Sequence, residues 1–175
     1  MKLIAAADEN WGIGKNGGLL AHIPEDMKFF REMTTGHPLV MGRKTLESFP
    51  GARPLKNRVN IVLTRDDAYK CDGAVIVHCK EELDALLAAY DTEDVFVIGG
   101  SSIYALLLDE CDTAYITKIA EKYEADAFFP DLDSKPEWNA VHESEIMEFN
   151  GLQYRFVTYK KIRPQAAART GTVRA

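Results

Sequence analysis

Short, strand-like and largely apolar runs recur along the chain at residues 3–7, 39–42, 59–64, 74–78, 95–99 and 113–119. Runs of this length without polar alternation predict strands buried on both faces, as in a parallel sheet covered by helices. Between them the apolar positions spread to the helical period, which predicts helices over 24–35, 43–49, 80–90 and 101–110. Two later runs, around 140–149 and over 152–162, are longer and alternate more. Asn150-Gly151 separates them and is a strong type I′ hairpin signal. The pattern predicts an α/β domain over residues 1–162. Its core is a central mixed, mostly parallel twisted β-sheet of about eight strands, with a C-terminal antiparallel hairpin and about four flanking helices. The last segment, 163–175, carries three arginines and almost nothing to bury, so a frayed tail is expected there.

Composition narrows the class. A chain of 175 residues suits one domain, and 46% hydrophobic with 27% charged residues is ordinary for a soluble globular protein. The net charge of −6 argues against a generic nucleic-acid or anionic-membrane surface, because phosphate backbones demand a basic face. No apolar run approaches the roughly 18 residues of a membrane span. Asp8-Glu9-Asn10 interrupts the first apolar stretch too early for a signal peptide, so a cytoplasmic protein is expected. Cys71, Cys79 and Cys111 show no C-x-x-C spacing, and the four histidines form no H-E-x-x-H pair; reduced thiols and no metal site are expected.

Gly12-Ile13-Gly14-Lys15-Asn16-Gly17 spells G-x-G-x-x-G after a strand. A dinucleotide turn of that kind should open directly into a helix. Here the helix waits until Pro24, and the next strand ends in Arg43-Lys44 instead of a ribose-binding carboxylate. A glycine-rich loop over a site is the better reading, with a plain surface loop as the alternative. On the first helix, at roughly 100° per residue, Asp26, Phe30 and Met33 share one side, with Met27 and Thr34 at its margin and Glu25, Lys28 and Glu32 opposite. Asp26 could simply complement the helix dipole, but Glu25 can do that from the polar face. A carboxylate on a buried face has a raised pKa, suited to proton chemistry or to holding a cationic ligand.

Arg43-Lys44-Thr45 follows one strand and Thr64-Arg65 another. Taken singly each is as readily a solvated charge as a phosphate site; two strand ends of the same type at one sheet edge favour a polyphosphate. Val97-Ile98-Gly99-Gly100-Ser101-Ser102-Ile103-Tyr104 joins a buried strand to a helix start through a turn that lets backbone approach a ligand closely.

Together these segments resemble the bacterial single-domain dihydrofolate reductases. The likeness runs from Met1 to about Ile162. It is carried by Trp11-Gly12-Ile13-Gly14, Ile23-Pro24-Glu25-Asp26-Met27-Lys28-Phe29-Phe30, Val40-Met41-Gly42-Arg43-Lys44-Thr45 with Glu47-Ser48-Phe49, and Leu55-Lys56-Asn57-Arg58. Val97-Ile98-Gly99-Gly100, Tyr115-Ile116-Thr117 and Ala125-Asp126-Ala127-Phe128-Phe129-Pro130 complete it in the family's order. The resemblance implies reduction of 7,8-dihydrofolate to tetrahydrofolate with NADPH as cofactor, inhibition by antifolates, and a monomer. It implies that Asp26 grips the pterin and helps protonate N5, with Thr117 in support. Ile4, Ala5, Met27, Phe30, Phe49, Leu55, Ile98 and Tyr104 would line the substrate pocket, and Arg58 would meet the substrate α-carboxylate. Gly42, Arg43, Lys44, Thr45, Thr64 and Arg65 would serve the cofactor phosphates. Gly99, Gly100, Ser101, Ser102, Ile103 and Tyr104 would form the nicotinamide and pyrophosphate turn, with the Gly99-Gly100 bond cis. Ala6, Ile13, Asn16 and Leu19 would contact the nicotinamide half.

The chain departs from the family at Leu20-Ala21, where a Pro-Trp pair is usual, and at Ala125-Asp126-Ala127 in place of Gly-Asp-Thr. The tryptophan's absence leaves room beside the carboxylate. Two rivals remain: the related reductase domain of riboflavin synthesis, and a non-catalytic nucleotide- or folate-binding module. The first would not need Asp26 on that helix face with Arg58 beyond it; the absence of the tryptophan keeps the second open.

Overall fold

The computed structural model describes residues 1–162; the expected tail lies outside the described residues. Six strands run parallel: β1 (Lys2–Ala7), β3 (Pro38–Gly42), β4 (Val59–Leu63), β5 (Ala74–Val77), β6 (Phe96–Gly99) and β7 (Thr113–Ile119). The C-terminal β11 (Leu152–Lys161) adds antiparallel to β7, and β9 (Trp138–Glu143) and β10 (Met147–Phe149) pair along its far edge. The order across the sheet is β10-β11-β7-β1-β6-β3-β4-β5, with β9 beside β10 on β11. The four helices are α1 (Pro24–Thr34), α2 (Arg43–Glu47), α3 (Lys80–Leu87) and α4 (Ser101–Leu107).

Successive residues of each parallel strand feed opposite layers. Leu3, Val40, Ile61 and Val97 pack with Leu83 and Leu87 of α3 and Ile103 and Leu107 of α4. Ile4, Leu39, Met41, Val62, Phe96 and Ile98 pack on the other face with Leu46 of α2 and with Phe29, Phe30 and Met33 of α1. Each such side chain stabilises the fold by roughly 1.5–3 kcal/mol on burial. This two-sided burial is why the strands carry no polar alternation.

The structure differs from the expected elements in five places. The glycine-rich loop contains a short strand, β2 (Gly12–Gly14), paired with β8 (Ala127–Phe128) in a separate two-stranded sheet. The run around 140–149 is two strands: at Ser144 the backbone N still donates to Phe156 O at 2.8 Å, but the Ser144 side-chain Oγ, not a carbonyl, accepts from Phe156 N at 2.9 Å. Helix α2 stops at Glu47, short of Phe49, which precedes Pro50 and is extended. Helices α3 and α4 stop at Leu87 and Leu107; α4 runs on into a 3₁₀ turn over Leu108–Glu110. The hairpin forms as expected: Asn150 and Gly151 have φ of 52° and 81° between the paired Phe149 and Leu152. No helix among the described residues is long and apolar enough to cross a membrane.

Candidate active site

All six parallel strands end at one edge of the sheet, where α/β folds bind ligands. Helix α1 lies over that edge on the Ile4 and Ile98 face. Pro24 starts the helix, its fixed φ suiting the first turn. Asp26 follows and is 8% exposed on the inward face. Across from it, Thr117 of β7 is paired with Ala6 of β1, which turns its side chain toward α1. Thr117 Oγ1 donates to Asp26 Oδ1 at 2.5 Å. Burial raises the Asp26 pKa, and the Thr117 hydrogen bond opposes that rise only partly. The site therefore holds a carboxyl group that keeps its proton to higher pH than a surface aspartate.

Tyr104 of α4 sits close by, 3% exposed, and its hydroxyl donates to Ile4 O at 2.7 Å. Burial, with the Asp26 charge in addition, pushes its pKa up, so it stays a donor. Gly99 lies against this ring: a Cβ there would be 2.8 Å from Tyr104 Cε2, and its φ is +107°. The Gly99–Gly100 peptide is cis. Ile103 is buried against Gly42, where an added Cβ would come within 3.2 Å of Ile103 Cγ1.

The apolar residues named from the sequence divide. Ile4 and Ile98 are buried in one cluster, with Phe30, Phe49 and Leu55 half-buried against it. Met27 is half-buried beside Asp26 in sequence, and Ala5 packs instead against the opposite core layer. Ala6 joins a third cluster with Ala21, Ile23 and Tyr154. Where the family's tryptophan would stand, Ala21 thus packs beside Tyr154, whose hydroxyl donates to Glu25 Oε2 at 3.4 Å. His22 is exposed.

Arg58 is held beside α1 by three hydrogen bonds. Its Nε donates to Thr34 Oγ1 at 2.9 Å, and its terminal nitrogens donate to Lys56 O at 2.8 Å and Arg31 O at 3.2 Å. No carboxylate pairs with it among the described residues, and two of its five N–H groups are left over. Burial and the nearby Arg31 charge lower its pKa from a value so high that the group stays cationic.

The phosphate-type residues share the strand-end edge. Arg43 and Lys44 open α2, with Arg43 paired to Glu47 at 3.2 Å and lying over the Tyr69 ring at 5.8 Å. Thr64 is buried after β4, next to exposed Arg65. Gly100 faces the Thr45 hydroxyl, with an added Cβ 3.5 Å from Oγ1. Ser101 Oγ accepts from Phe128 N at 2.8 Å, and Ser102 is exposed. In the glycine-rich segment Ile13 is half-buried, while Asn16 and Leu19 are exposed, Leu19 by 61%.

Several supporting residues escaped the sequence reading. Thr34, placed at the margin of the helix stripe, is fully buried and also donates to Phe30 O at 2.7 Å. Asn60 braces the segment that carries Leu55 and Arg58: it accepts from Leu55 N at 3.0 Å and donates to Leu55 O at 2.9 Å and Arg58 O at 3.2 Å. A single polar residue inside an apolar strand run was the available signal for it. Tyr69 was not singled out either.

Comparison with known proteins agrees with this arrangement. The family model described as dihydrofolate reductase matches residues 1–161. A dihydrofolate reductase of Bacillus subtilis is 37% identical over 163 residues, covering 92% of this chain and 94% of the relative. A bifunctional dihydrofolate reductase-thymidylate synthase of Glycine max is 37% identical over 190 residues, of which this chain spans only 35% of the relative's length. Among solved structures, the dihydrofolate reductase of Enterococcus faecalis complexed with NADP(H) and RAB-propyl superposes with a TM-score of 0.81 at 38% identity, covering 91% of this chain and 95% of that one. A buried carboxyl on the first helix, a glycine turn against a tyrosine and cations at the strand ends are thus set in a sequence and a fold that agree: the chain belongs to the dihydrofolate reductase family.

Proposed function

We propose that the protein reduces 7,8-dihydrofolate to 5,6,7,8-tetrahydrofolate with NADPH. The observation that carries this reading is Asp26: a buried carboxyl, raised in pKa and fixed by Thr117, at the ligand-binding edge of the sheet. The relatives' names and the NADP(H) bound to the Enterococcus structure support it. When bound, NADPH supplies a hydride for C6 of the pterin. Every other task falls to residues of this one chain, which supports a monomer as the working unit.

Asp26 faces a pterin amidine, whose two N–H groups match the two oxygens of a carboxylate. That pairing orients the ring, and the carboxyl's raised pKa lets it hold a proton for the N5 side to higher pH than a surface aspartate would. Thr117 fixes the carboxyl's rotamer. Ile4, Ile98, Phe30, Phe49 and Leu55 form an apolar wall that excludes water and holds the rings. Met27 would complete the lining, whereas Ala5 packs on the opposite layer; antifolates that mimic the pterin would occupy the same space. Arg58, braced by Thr34 and by the Asn60-held loop, has donors free for the substrate's α-carboxylate. The residues also fit NADPH. Gly99 and Gly42 bring the Tyr104 ring and Ile103 close against bare backbone, and the position of a Gly100 Cβ meets only Thr45 Oγ1, at 3.5 Å. Arg43, Lys44, Thr45, Thr64 and Arg65 would hold its phosphates; Ser101, Ser102, Ile103, Ala6, Ile13, Asn16 and Leu19 would flank the rest.

The direct test is NADPH oxidation followed with and without dihydrofolate; no dihydrofolate-dependent oxidation would overturn the reading. Arg58→Gln is expected to raise KM for dihydrofolate by roughly 10- to 100-fold with kcat changed far less, the loss of one charge-assisted contact. A dihydropteridine without the glutamyl tail should not feel the substitution. Equal KM values for wild type and R58Q would remove Arg58 from the binding site. Arg43→Ala with Arg65→Ala is expected to lower the preference for NADPH over NADH by roughly tenfold or more, measured as the ratio of kcat/KM values. An unchanged ratio would place the 2′-phosphate elsewhere.

A further inference from the structure

The three cations at the strand-end edge are not equivalent. Lys44 and Arg65 are exposed and have no ion-pair partner among the described residues. Arg43 is engaged on two sides. Its Nη1 donates to Glu47 Oε1 at 3.2 Å, one helical turn along α2, and its guanidinium lies 5.8 Å from the centroid of the Tyr69 ring. Tyr69 belongs to the segment that joins β4 to β5, and a turn around Asp66 fixes it there. Tyr69 N donates to Asp66 O at 3.0 Å, Ala68 N to Asp66 Oδ1 at 3.1 Å, and Asp66 N to Thr64 Oγ1 at 3.2 Å. The ring packs half-buried against the cluster of Ile4 and Ile98. Burial raises the phenol's pKa, the Cys71 and Glu47 charges add to the rise, and the Arg43 charge opposes it. Both ends of the ion pair therefore reach the ring.

Helix stability does not account for this pair. Arg43 opens the five-residue α2 and Glu47 closes it, so a cation sits at the N-terminus and an anion at the C-terminus, each at the wrong pole of the helix dipole. The order is also the weaker one for an i,i+4 pair, where the acid does better on the N-terminal side. The two side chains are 38% and 39% exposed, so solvent takes most of what the pair would add to the fold. What the pair does change is the guanidinium's availability. A guanidinium offers a phosphate a fork of donors. Here one donor is already given to a carboxylate whose charge offsets that of the arginine. A phosphate bound at Arg43 has to displace Glu47 or lie beside it.

We propose that Glu47 is a specificity-determining counter-charge: it competes with the cofactor's 2′-phosphate for Arg43, while the Tyr69 ring holds the guanidinium within reach of both. Glu47 thereby moderates the affinity for NADPH and leaves that for NADH alone. The proposal rests on the functional reading above, which puts the 2′-phosphate at Arg43 and Arg65. Glu47→Gln keeps the length of the side chain and an acceptor for Arg43, and removes the charge. The Kd for NADPH, read by quenching of protein fluorescence, is expected to fall about 5- to 10-fold in E47Q. The Kd for NADH, which has no phosphate there, should move by less than about twofold. NADP⁺ should dissociate more slowly by the same factor as NADPH tightens, since affinity changes of this kind fall mostly on the off-rate.

The same measurement in an Arg43→Ala background tests the competition itself. There E47Q should change the NADPH Kd by less than about twofold, because only screened repulsion across solvent is left. An equally large effect with and without Arg43 would overturn the proposal. So would an E47Q protein with unchanged NADPH affinity, which makes the pair a solvated one, or with weakened affinity, which makes Glu47 a holder of Arg43. An equal effect on NADH would overturn it too. The melting temperature of E47Q should stay within about 2 °C of wild type, as suits an exposed pair. If R43A itself leaves the preference for NADPH over NADH intact, the placement of the 2′-phosphate fails. If R43A lowers that preference and E47Q changes nothing, only the counter-charge fails.

Discussion

Replacing Asp26 by Asn is expected to lower the rate of hydride transfer at neutral pH by roughly 100- to 1000-fold, the usual scale for removing a positioned proton donor. The substitution keeps the volume of the side chain and an acceptor for the Thr117 hydroxyl. It removes the proton store and turns one oxygen of the amidine clamp into a donor. Activity should recover partly at low pH, where the solvent can protonate the pterin. The wild-type enzyme should instead hold its rate through the acid range and lose it as pH rises through the raised Asp26 pKa. Wild-type stability should change with pH in the same direction. Folded Asp26 keeps a proton that the unfolded chain gives up at the ordinary value of about 3.9. Between that value and the raised one, the native state binds more protons, so wild-type stability falls as pH rises through the window. Above it the cost of a buried charge is present in full. D26N should therefore melt higher than wild type at pH values above that window, by a few degrees for about 1 kcal/mol, and show no advantage below it. A D26N that is as active as wild type at pH 7 would remove Asp26 from the chemistry.

Gly99→Ala is expected to cost both stability and cofactor binding. Its methyl group would sit 2.8 Å from Tyr104 Cε2 and 3.0 Å from Cζ, on a residue whose φ is +107°. The tyrosine cannot swing away freely, because its hydroxyl is bonded to Ile4 O at 2.7 Å. Overpacking and backbone strain together amount to roughly 2–5 kcal/mol, which lowers the melting temperature by about 5–15 °C for a domain of this size. NADPH affinity, read by quenching of protein fluorescence, should fall at least tenfold, since the turn that would face the cofactor is displaced. Wild-type melting and wild-type affinity in G99A would show that the ring and the glycine do not depend on each other.

The fold was legible in the sequence wherever burial has one period. The six apolar runs became the six parallel strands because both sheet faces are covered, and Asn150-Gly151 formed its hairpin because both residues accept positive φ. What stayed hidden is held together by single residues. Nothing periodic announces β2 and β8, a two-stranded patch of Gly-Ile-Gly against Ala-Phe that meets only when the chain is folded. Ser144 splits the late strand through one side-chain bond to Phe156. In the site, Asp26 was visible because a carboxylate broke an apolar stripe. The bracing residues were not, since the importance of Asn60 and Thr34 lies in groups they reach across 2 to 24 positions. The cations could be placed on one edge from strand ends alone, but the capture of Arg43 by Glu47 and Tyr69 could not. The same grouping explains how an acidic chain can serve an anionic ligand. The net charge of −6 belongs to the whole chain, while Arg43, Lys44 and Arg65 stand at strand ends and Arg58 beside α1.

The most direct test is the pH dependence of single-turnover reduction of dihydrofolate by NADPH, with deuterated cofactor used to show that hydride transfer is being measured. The rate in the wild-type protein should fall about tenfold per pH unit above the Asp26 midpoint, and D26N should lack that midpoint. A rate that stays flat from about pH 6 to 9 in the wild type, with a full isotope effect, would contradict the assignment of Asp26 as the proton-holding group.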